Sequence, residues 1–303
     1  MNFKVKYSNN VHADFSKTVK KRVSQFLKEN PGPQLVSLEM AIKGIIMLAL
    51  YFTPYILIVL GMFQPWAIIL LFFIMGIGKA GLGMNVMHDA IHNSFSKNRF
   101  LNKVLSTSIY LLGGNIFNWK VQHNHLHHWH TNVFGIDEDI DTKFLLRFSP
   151  YAELKPIHRY QKIYAFFFYS MVTLSFVFQD LEQLFRFKKK GLITESKTTF
   201  GKQLLILLLN KLLYLILVLA IPIVLVPVPW WYIVIGFFIM HFTAGIILSI
   251  TFQLAHQVEG VIQNMPSGDS VIDHSYMSHQ LFVTADYCPQ NKILAWFIGG
   301  LNF

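Results

Sequence analysis

The chain has 303 residues, of which 53% are apolar and 14% charged, with 26 Lys and Arg against 16 Asp and Glu. This composition is too apolar for an ordinary soluble domain and too poor in charge for a disordered chain. The single cysteine, Cys288, excludes an intramolecular disulfide framework and a cysteine-rich zinc module.

Two long apolar runs dominate the sequence. No Asp, Glu, Lys or Arg occurs from Gly44 to Gly78 or from Leu212 to Val258. Because a bilayer core of about 30 Å needs roughly 20 helical residues, each run is long enough for two crossings. Gly61 to Pro65 interrupts the first run, and Pro227-Val-Pro229 interrupts the second. The pattern predicts two helical hairpins, with spans near residues 42–60, 66–88, 204–226 and 230–255.

The basic residues predict which ends of the spans share a side of the membrane. Eight precede the first span and fifteen lie between the two hairpins. By the positive-inside rule, the N-terminus, residues 89–203 and the tail after residue 256 lie in the cytoplasm. An apolar stretch near residues 163–178 is short for a crossing and is predicted to be an interfacial or re-entrant helix. If it crossed the membrane, the number of spans would rise to five or six.

These patterns predict an all-α integral membrane protein, formed as one domain over residues 1–303. Four transmembrane helices in two hairpins are expected to carry a cytoplasmic helical cap. Residues 1–40 are polar and lack the apolar segment of a cleavable signal peptide. The excess of Lys and Arg over Asp and Glu is therefore expected to face the lipid surface. No nucleic-acid-binding motif accompanies these basic residues, so no nucleic acid partner is expected.

Histidines cluster just after the second predicted span. His88 and His92 are four residues apart, which on a helix places both imidazoles on one face, within reach of one metal ion. His123 and His127 repeat this spacing. His128 is rotated from its neighbour by about 100° around a helix, so it can serve a second ion. The spacing predicts a site for two metal ions.

One further histidine belongs to this set. His256 ends the fourth predicted span on the side of the membrane where His88 lies, so it is the sixth candidate ligand. His241 precedes it by fifteen residues, roughly 22 Å along one helix, and cannot join the same compact site. A hydrogen bond to a neighbouring helix is the alternative role for His241.

Imidazole ligands suit iron, zinc and copper. The sequence has no His-Glu-x-x-His, which argues against a zinc hydrolase, and no Glu-x-x-His, which argues against a ferritin-like carboxylate di-iron bundle. An all-imidazole site beside a bilayer remains. Two irons in such a site can activate dioxygen close to a lipid tail, and oxidation of an unactivated methylene needs an oxidant of that kind.

Several ordered motifs resemble the membrane fatty acyl desaturase family, in particular its bacterial linoleoyl-CoA and front-end branch. They are His88-Asp-x-x-His92, His123-Asn-x-x-His127-His128-x-x-Thr131-Asn132, Gly135-x-Asp137-Glu138-Asp139, Phe252-Gln-Leu-Ala-His256-x-Val258-Glu259 and Trp296-Phe-x-Gly-Gly-Leu-Asn302-Phe303. The resemblance implies that dioxygen and two electrons introduce a cis double bond into an acyl chain. It also implies a di-iron centre in a cytoplasmic cap, ligated by His88, His92, His123, His127, His128 and His256.

The family's final motif, a Gln-x-x-His-His box, directly follows Gly-Gly-Leu-Asn-Phe, whereas this chain stops at Phe303. We therefore expect a chain truncated at its C-terminus. If nothing follows Phe303, one or both irons lack ligands and the fragment is inactive, whereas a chain that continues into the box is an active enzyme. His274 and His279 are an alternative source of the last ligands.

The remaining expectations concern partners. The acidic group Asp137, Glu138, Asp139 and Asp141 is expected to orient histidines or dock an electron donor, unless it is a solvated loop. No haem module is present, so a separate donor of the ferredoxin or cytochrome b5 type is expected. The fatty acyl substrate is carried on CoA, a carrier protein or a lipid, and the bacterial cytoplasmic membrane is favoured over the endoplasmic reticulum. Two other functions stay open, a di-iron lipid hydroxylase and a non-catalytic metal-binding membrane protein.

Overall fold

The computed structural model describes residues 5–8, 12–30, 38–140, 145–266 and 271–303, so Asp141 of the acidic group lies outside the described residues. The described part is mostly helical and has almost no sheet, which confirms the predicted all-α class. Its helices, in chain order, are α1 (Ala13–Glu29), α2 (Leu38–Val59), α3 (Pro65–Ile91), α4 (Arg99–Ser106), α5 (Ile116–Trp119), α6 (Gln161–Ser170), α7 (Val172–Lys189), α8 (Leu192–Glu195), α9 (Phe200–Leu225), α10 (Trp230–His256), α11 (Tyr276–Phe282) and α12 (Lys292–Ile298).

Shorter elements complete the described chain. The segment Leu82–Met87 within α3 and the segment Lys120–His127 after α5 are π-helical, and Thr107–Leu112 and Pro156–Tyr160 are 3₁₀ helices. Strands β1 (Lys6–Tyr7) and β2 (Val271–Ile272) pair in parallel, with Lys6 opposite Val271. This pair ties the N-terminal segment to the segment that precedes α11.

Four helices are long and apolar enough to cross a membrane, as predicted. They are α2, α3, α9 and α10, with mean hydropathies of 2.0, 2.0, 2.7 and 2.3, and they overlap the four predicted spans. Pro65 begins α3 because its missing N–H would have no helical partner in the first turn. Trp66 and Trp230 lie at the starts of α3 and α10 and are largely exposed, where amphipathic rings favour the membrane boundary.

The apolar stretch near residues 163–178 is two helices, where the sequence predicts one. The chain bends by 77° between Ser170 and α7, which makes this pair either a re-entrant element or a broken span. α7 also continues to Lys189, past the predicted end. Asp180 is the reason, since it is buried and pairs with Lys211 of α9, so a carboxylate that looked like a helix boundary faces the protein interior.

α3 packs most extensively on α10 and also on α2. A Cβ added at Gly76 would lie 2.7 Å from the carbonyl oxygen of Met240, and one added at Gly78 would lie 2.5 Å from the carbonyl carbon of Leu50. Both glycines therefore let α3 contact a neighbouring backbone directly. α3 and α10 run parallel, so their last residues arrive at the same end of the bundle.

Replacing Gly78 by alanine is expected to lower stability, because the new methyl meets backbone atoms of α2 that cannot rotate away. The cost of such overpacking is about 1–3 kcal/mol. Gly201 near the start of α9 has no atom within 4 Å of an added Cβ, so Gly201→Ala is the matched control and should be neutral or slightly stabilising. Thermal unfolding of both variants in detergent measures the difference, and equal melting temperatures would contradict the predicted contact.

A polar cluster lies buried within the bundle, with one residue from each of four helices. Lys79 of α3, Thr173 of α7, Tyr214 of α9 and His241 of α10 are each at most 3% exposed. The Lys79 Nζ lies 2.9 Å from the Tyr214 hydroxyl and 3.3 Å from the His241 ring, and the Tyr214 hydroxyl lies 2.7 Å from His241 Nε2. The Thr173 hydroxyl lies 3.0 Å from His241 Nδ1. His241 therefore bonds neighbouring helices, which was the alternative role predicted for it.

Candidate metal centre

Four of the six predicted ligands converge on one point. His88 lies in the last turn of α3, His92 follows that turn, and His123 and His128 lie in and just after the second π-helical segment. Their Nε2 atoms approach one another at 3.2 Å for His88 and His123, 3.2 Å for His92 and His128, and 3.1 Å for His123 and His128. All four ligand atoms lie within 4.8 Å of one another.

This spacing fits a metal ion. Two nitrogens bound to one ion at about 2.1 Å lie roughly 3.0–3.4 Å apart, depending on the bond angle. The lone pairs of facing imidazole nitrogens repel unless a proton or a cation lies between them. Four nitrogens that face one another at this distance are therefore a donor set suited to a cation.

The protonation of these rings also favours a cation. Burial, followed by the charge of His88, lowers the pKa of His92 to about 4, and burial with the neighbouring histidines lowers the pKa of His128 to about 3. Burial and the same neighbours hold the pKa of His123 well below its usual value. At pH 7 these imidazoles are neutral, which is the form that binds metal.

His127 lies beside this group but turns towards two carboxylates. Its Nδ1 is 3.1 Å from each carboxylate oxygen of Asp137 and 3.2 Å from Asp139. Burial would lower the pKa of His127, but Asp139 and Asp137 more than offset it and raise the pKa to about 9. Although burial opposes ionisation of Asp137, His127 and the amides of Asp139 and Asn132 hold its pKa below the usual value. These bonds fix the ring with Nδ1 on the carboxylates, and at pH 7 the ring is protonated, so Nε2 binds a metal by giving up its proton.

His256 completes the cluster from the end of α10. Its ring centroid lies 5.0 Å from that of His127, and its Nδ1 lies 3.0 Å from the carbonyl oxygen of Val283. An Nδ1–H that donates to this carbonyl leaves Nε2 as the lone-pair nitrogen. Asn132 holds the same turn, since its amide donates to the His256 carbonyl oxygen at 2.9 Å.

The structure exchanges the expected roles of His127 and His128. The sequence predicts that His123 and His127 share one ion and that His128 faces another direction, because four residues span about one α-helical turn. Here the segment is π-helical, with the His128 amide bonded to the His123 carbonyl at 2.9 Å, so residues five apart align. The His123 ring centroid is consequently 4.4 Å from that of His128 but 5.5 Å from that of His127. The structure therefore places His128, and not His127, beside His123, and the ion that each residue binds stays a prediction.

Other contacts at the site were not predicted. Trp119 lies one turn before His123 and packs on its ring at 4.8 Å, an interaction that the four-residue spacing would have indicated. His279, the alternative ligand, lies with Nε2 2.9 Å from the Thr131 carbonyl oxygen and Nδ1 3.4 Å from the Asn264 amide nitrogen. Its ring nitrogens thus have partners outside the cluster. His274 is likewise absent from both described groups of possible metal ligands.

The fold and the site define an integral membrane protein with a histidine cluster that can hold metal. Residues 64–303 match the sequence profile of the family described as fatty acid desaturase. The chain is 30% identical to a sn-1 linoleoyl-lipid 6-desaturase of Arthrospira platensis, over 95% of this chain and 78% of that protein. Its identity to the protein of the same name in Synechocystis sp. is also 30%, over 95% of this chain and 80% of that protein.

A more distant relative is an acyl-lipid (8-3)-desaturase of Physcomitrium patens, 28% identical over 98% of this chain and 62% of that protein. No solved structure matches the chain at a significant level. The chain belongs to the fatty acid desaturase family, whose members are oxidoreductases that act on fatty acyl chains. The family membership that the motifs indicated is thereby confirmed.

Proposed function

We propose that this protein is an oxygen-dependent di-iron desaturase of lipid-linked acyl chains. The observation that carries the proposal is the convergence of four imidazole Nε2 atoms where two membrane-spanning helices end. The names of the two cyanobacterial relatives support a linoleoyl lipid as substrate and position 6 as the site of the new double bond.

The proposed reaction removes one hydrogen from each of two neighbouring methylenes. Dioxygen, two electrons and two protons are consumed, a carbon–carbon double bond forms, and two waters leave. Iron bound to the histidines supplies the oxidising chemistry for this step. A separate protein of the ferredoxin or cytochrome b5 type supplies the electrons.

The residues of the chain have distinct proposed roles. His88, His92, His123 and His128 hold one ion, and His127 and His256 contribute to a second. Asp137, Asp139 and the Val283 carbonyl keep the last two rings turned so that Nε2 faces the site. Trp119 restricts rotation of the His123 ring by packing on it.

The membrane placement follows from the helices. α3 and α10 are long and apolar enough to cross the bilayer and carry His88 and His256 near their ends, which supports entry of an acyl chain from among the lipid tails. We propose that residues 1–303 form one domain in a bacterial cytoplasmic membrane, with the histidines on the cytoplasmic side. The basic residues between the two hairpins support this orientation.

Product analysis tests the proposal. The protein is produced with a ferredoxin in a bacterium that makes no polyunsaturated lipids, and the cells are supplied with linoleate. We expect a fatty acid with two hydrogens fewer than linoleate and a new double bond at position 6. A product with one more oxygen would indicate a hydroxylase, and no product from iron-loaded protein would indicate a non-catalytic metal-binding protein.

A further inference from the structure

A hydrogen-bonded chain of side chains connects His127 to α7. Asp137 and Asp139 both contact His127, but they are held differently. Asp137 is fully buried and accepts hydrogen bonds from the amides of Asn132 and Asp139, at 2.8 and 3.0 Å. The Asp139 side chain is 40% exposed, so packing alone does not fix its orientation. Other side chains must hold this carboxylate if it is to orient His127.

Gln122 is the first of these side chains. Its Nε2 donates to the Asp139 carboxylate at 2.9 Å, and its Oε1 accepts a hydrogen bond from Gln183 Nε2 at 2.5 Å. Gln183 lies in the middle of α7 and is 8% exposed. The two amides thus form a bridge from α7 to Asp139, in which Gln122 uses its donor on one side and its acceptor on the other.

Glu138 ties the same loop to α7 a second time. Its carboxylate accepts a hydrogen bond from Arg186 at 3.1 Å and from Lys190 at 3.0 Å, and Gln183 Nε2 lies 3.4 Å from it. Only 10% of the Glu138 side chain is exposed, so this doubly paired carboxylate is protected from solvent. The loop that carries Asp137 and Asp139 is therefore held on the surface of α7 by charge as well as by the glutamine bridge.

We infer that Gln122 and Gln183 are positioning residues for the second metal ion, because they hold Asp139 against His127. The inference rests on the proposed function, in which His127 and His256 contribute to that ion. It assigns to α7 the role of fixing a partner of His127. Outer partners of metal ligands commonly change metal affinity by about 10–100-fold when replaced.

A cobalt(II) titration of the purified protein in detergent tests this inference. The visible spectrum should show two binding phases in the parent protein, a tighter one for the four converging histidines and a weaker one for His127 and His256. In Gln183→Leu we expect the dissociation constant of the second phase to rise about 10–100-fold, with the first phase unchanged. Gln122→Met should give the same pattern by breaking the bridge at its other amide.

Glu182→Gln is the matched control, since Glu182 is next to Gln183 on α7, is 67% exposed and pairs only with Arg186 in the described structure. Thermal unfolding shows whether each variant is folded. Parent-like dissociation constants for both phases in Gln183→Leu and Gln122→Met would overturn this inference but leave the proposed function standing. A parent protein with no second phase would overturn the second ion of the proposed function, and the inference with it.

Discussion

His123→Ala is expected to abolish desaturation while the protein stays folded in the membrane. His123 is the centre of the cluster, because its Nε2 lies 3.2 Å from that of His88 and 3.1 Å from that of His128. Replacing outer partners of metal ligands alone costs about 10–100-fold, so loss of a central ligand should reduce product formation by about 100-fold or more. The measurement is the amount of new unsaturated fatty acid per unit of membrane-inserted protein.

His125→Ala is the control for this experiment. His125 lies in the same π-helical segment, two residues from His123, but its side chain is exposed and joins neither group of possible metal ligands. We expect parent-like product formation from His125→Ala. Equal losses in the two variants would mean that the segment tolerates no change, and retained activity in His123→Ala would contradict the ligand assignment.

His241→Leu is expected to destabilise the bundle strongly, whereas Lys79→Met is expected to be neutral or stabilising. No carboxylate in the described part of the chain forms an ion pair with Lys79, so its amine depends on Tyr214 and His241. Leucine at position 241 leaves that buried amine with fewer partners, and leaving a buried polar group without its hydrogen bond costs about 1–3 kcal/mol. Methionine at position 79 removes the amine and keeps the 2.7 Å contact of Tyr214 with His241.

The double variant separates this explanation from a simple loss of packing. If an unpaired amine causes the damage, Lys79→Met should recover much of the stability lost in His241→Leu, since the two residues are in contact. Thermal unfolding in detergent is the measurement for all three variants. Additive effects, or a Lys79→Met variant as unstable as His241→Leu, would show that the amine is not the source of the instability.

The membrane helices and the identity of the clustered histidines were predictable from the sequence. Charge-free runs with central prolines indicate spans whatever the tertiary contacts, because the bilayer imposes their length. Clustering of the histidines at one end of the bundle was predictable from the even number of membrane crossings. An even number places His88 and His256 on the same side of the membrane. These features depend on patterns within one segment or on the number of crossings.

Tertiary contacts decided the features that were not predictable. No pattern in the sequence of Lys120–His127 indicates that this segment is π-helical. This geometry nevertheless places the His128 ring beside His123 and turns the His127 ring away from it. The continuation of α7 past Asp180 depends on Lys211, which is distant in sequence. Similarly, Lys79 has no polar neighbour in the sequence near it, and the fold brings Tyr214 and His241 beside it from distant helices. A polar residue in an apolar run is informative only once its partner is known.

X-ray absorption at the iron edge tests the central claim most directly, because it reports the atoms bound to the metal in the purified, iron-loaded protein. We predict a ligand shell dominated by imidazole nitrogens, which weakens in His123→Ala and is unchanged in His125→Ala. Iron without imidazole scattering, or a folded protein that retains no iron, would contradict the assignment of this cluster as the metal centre.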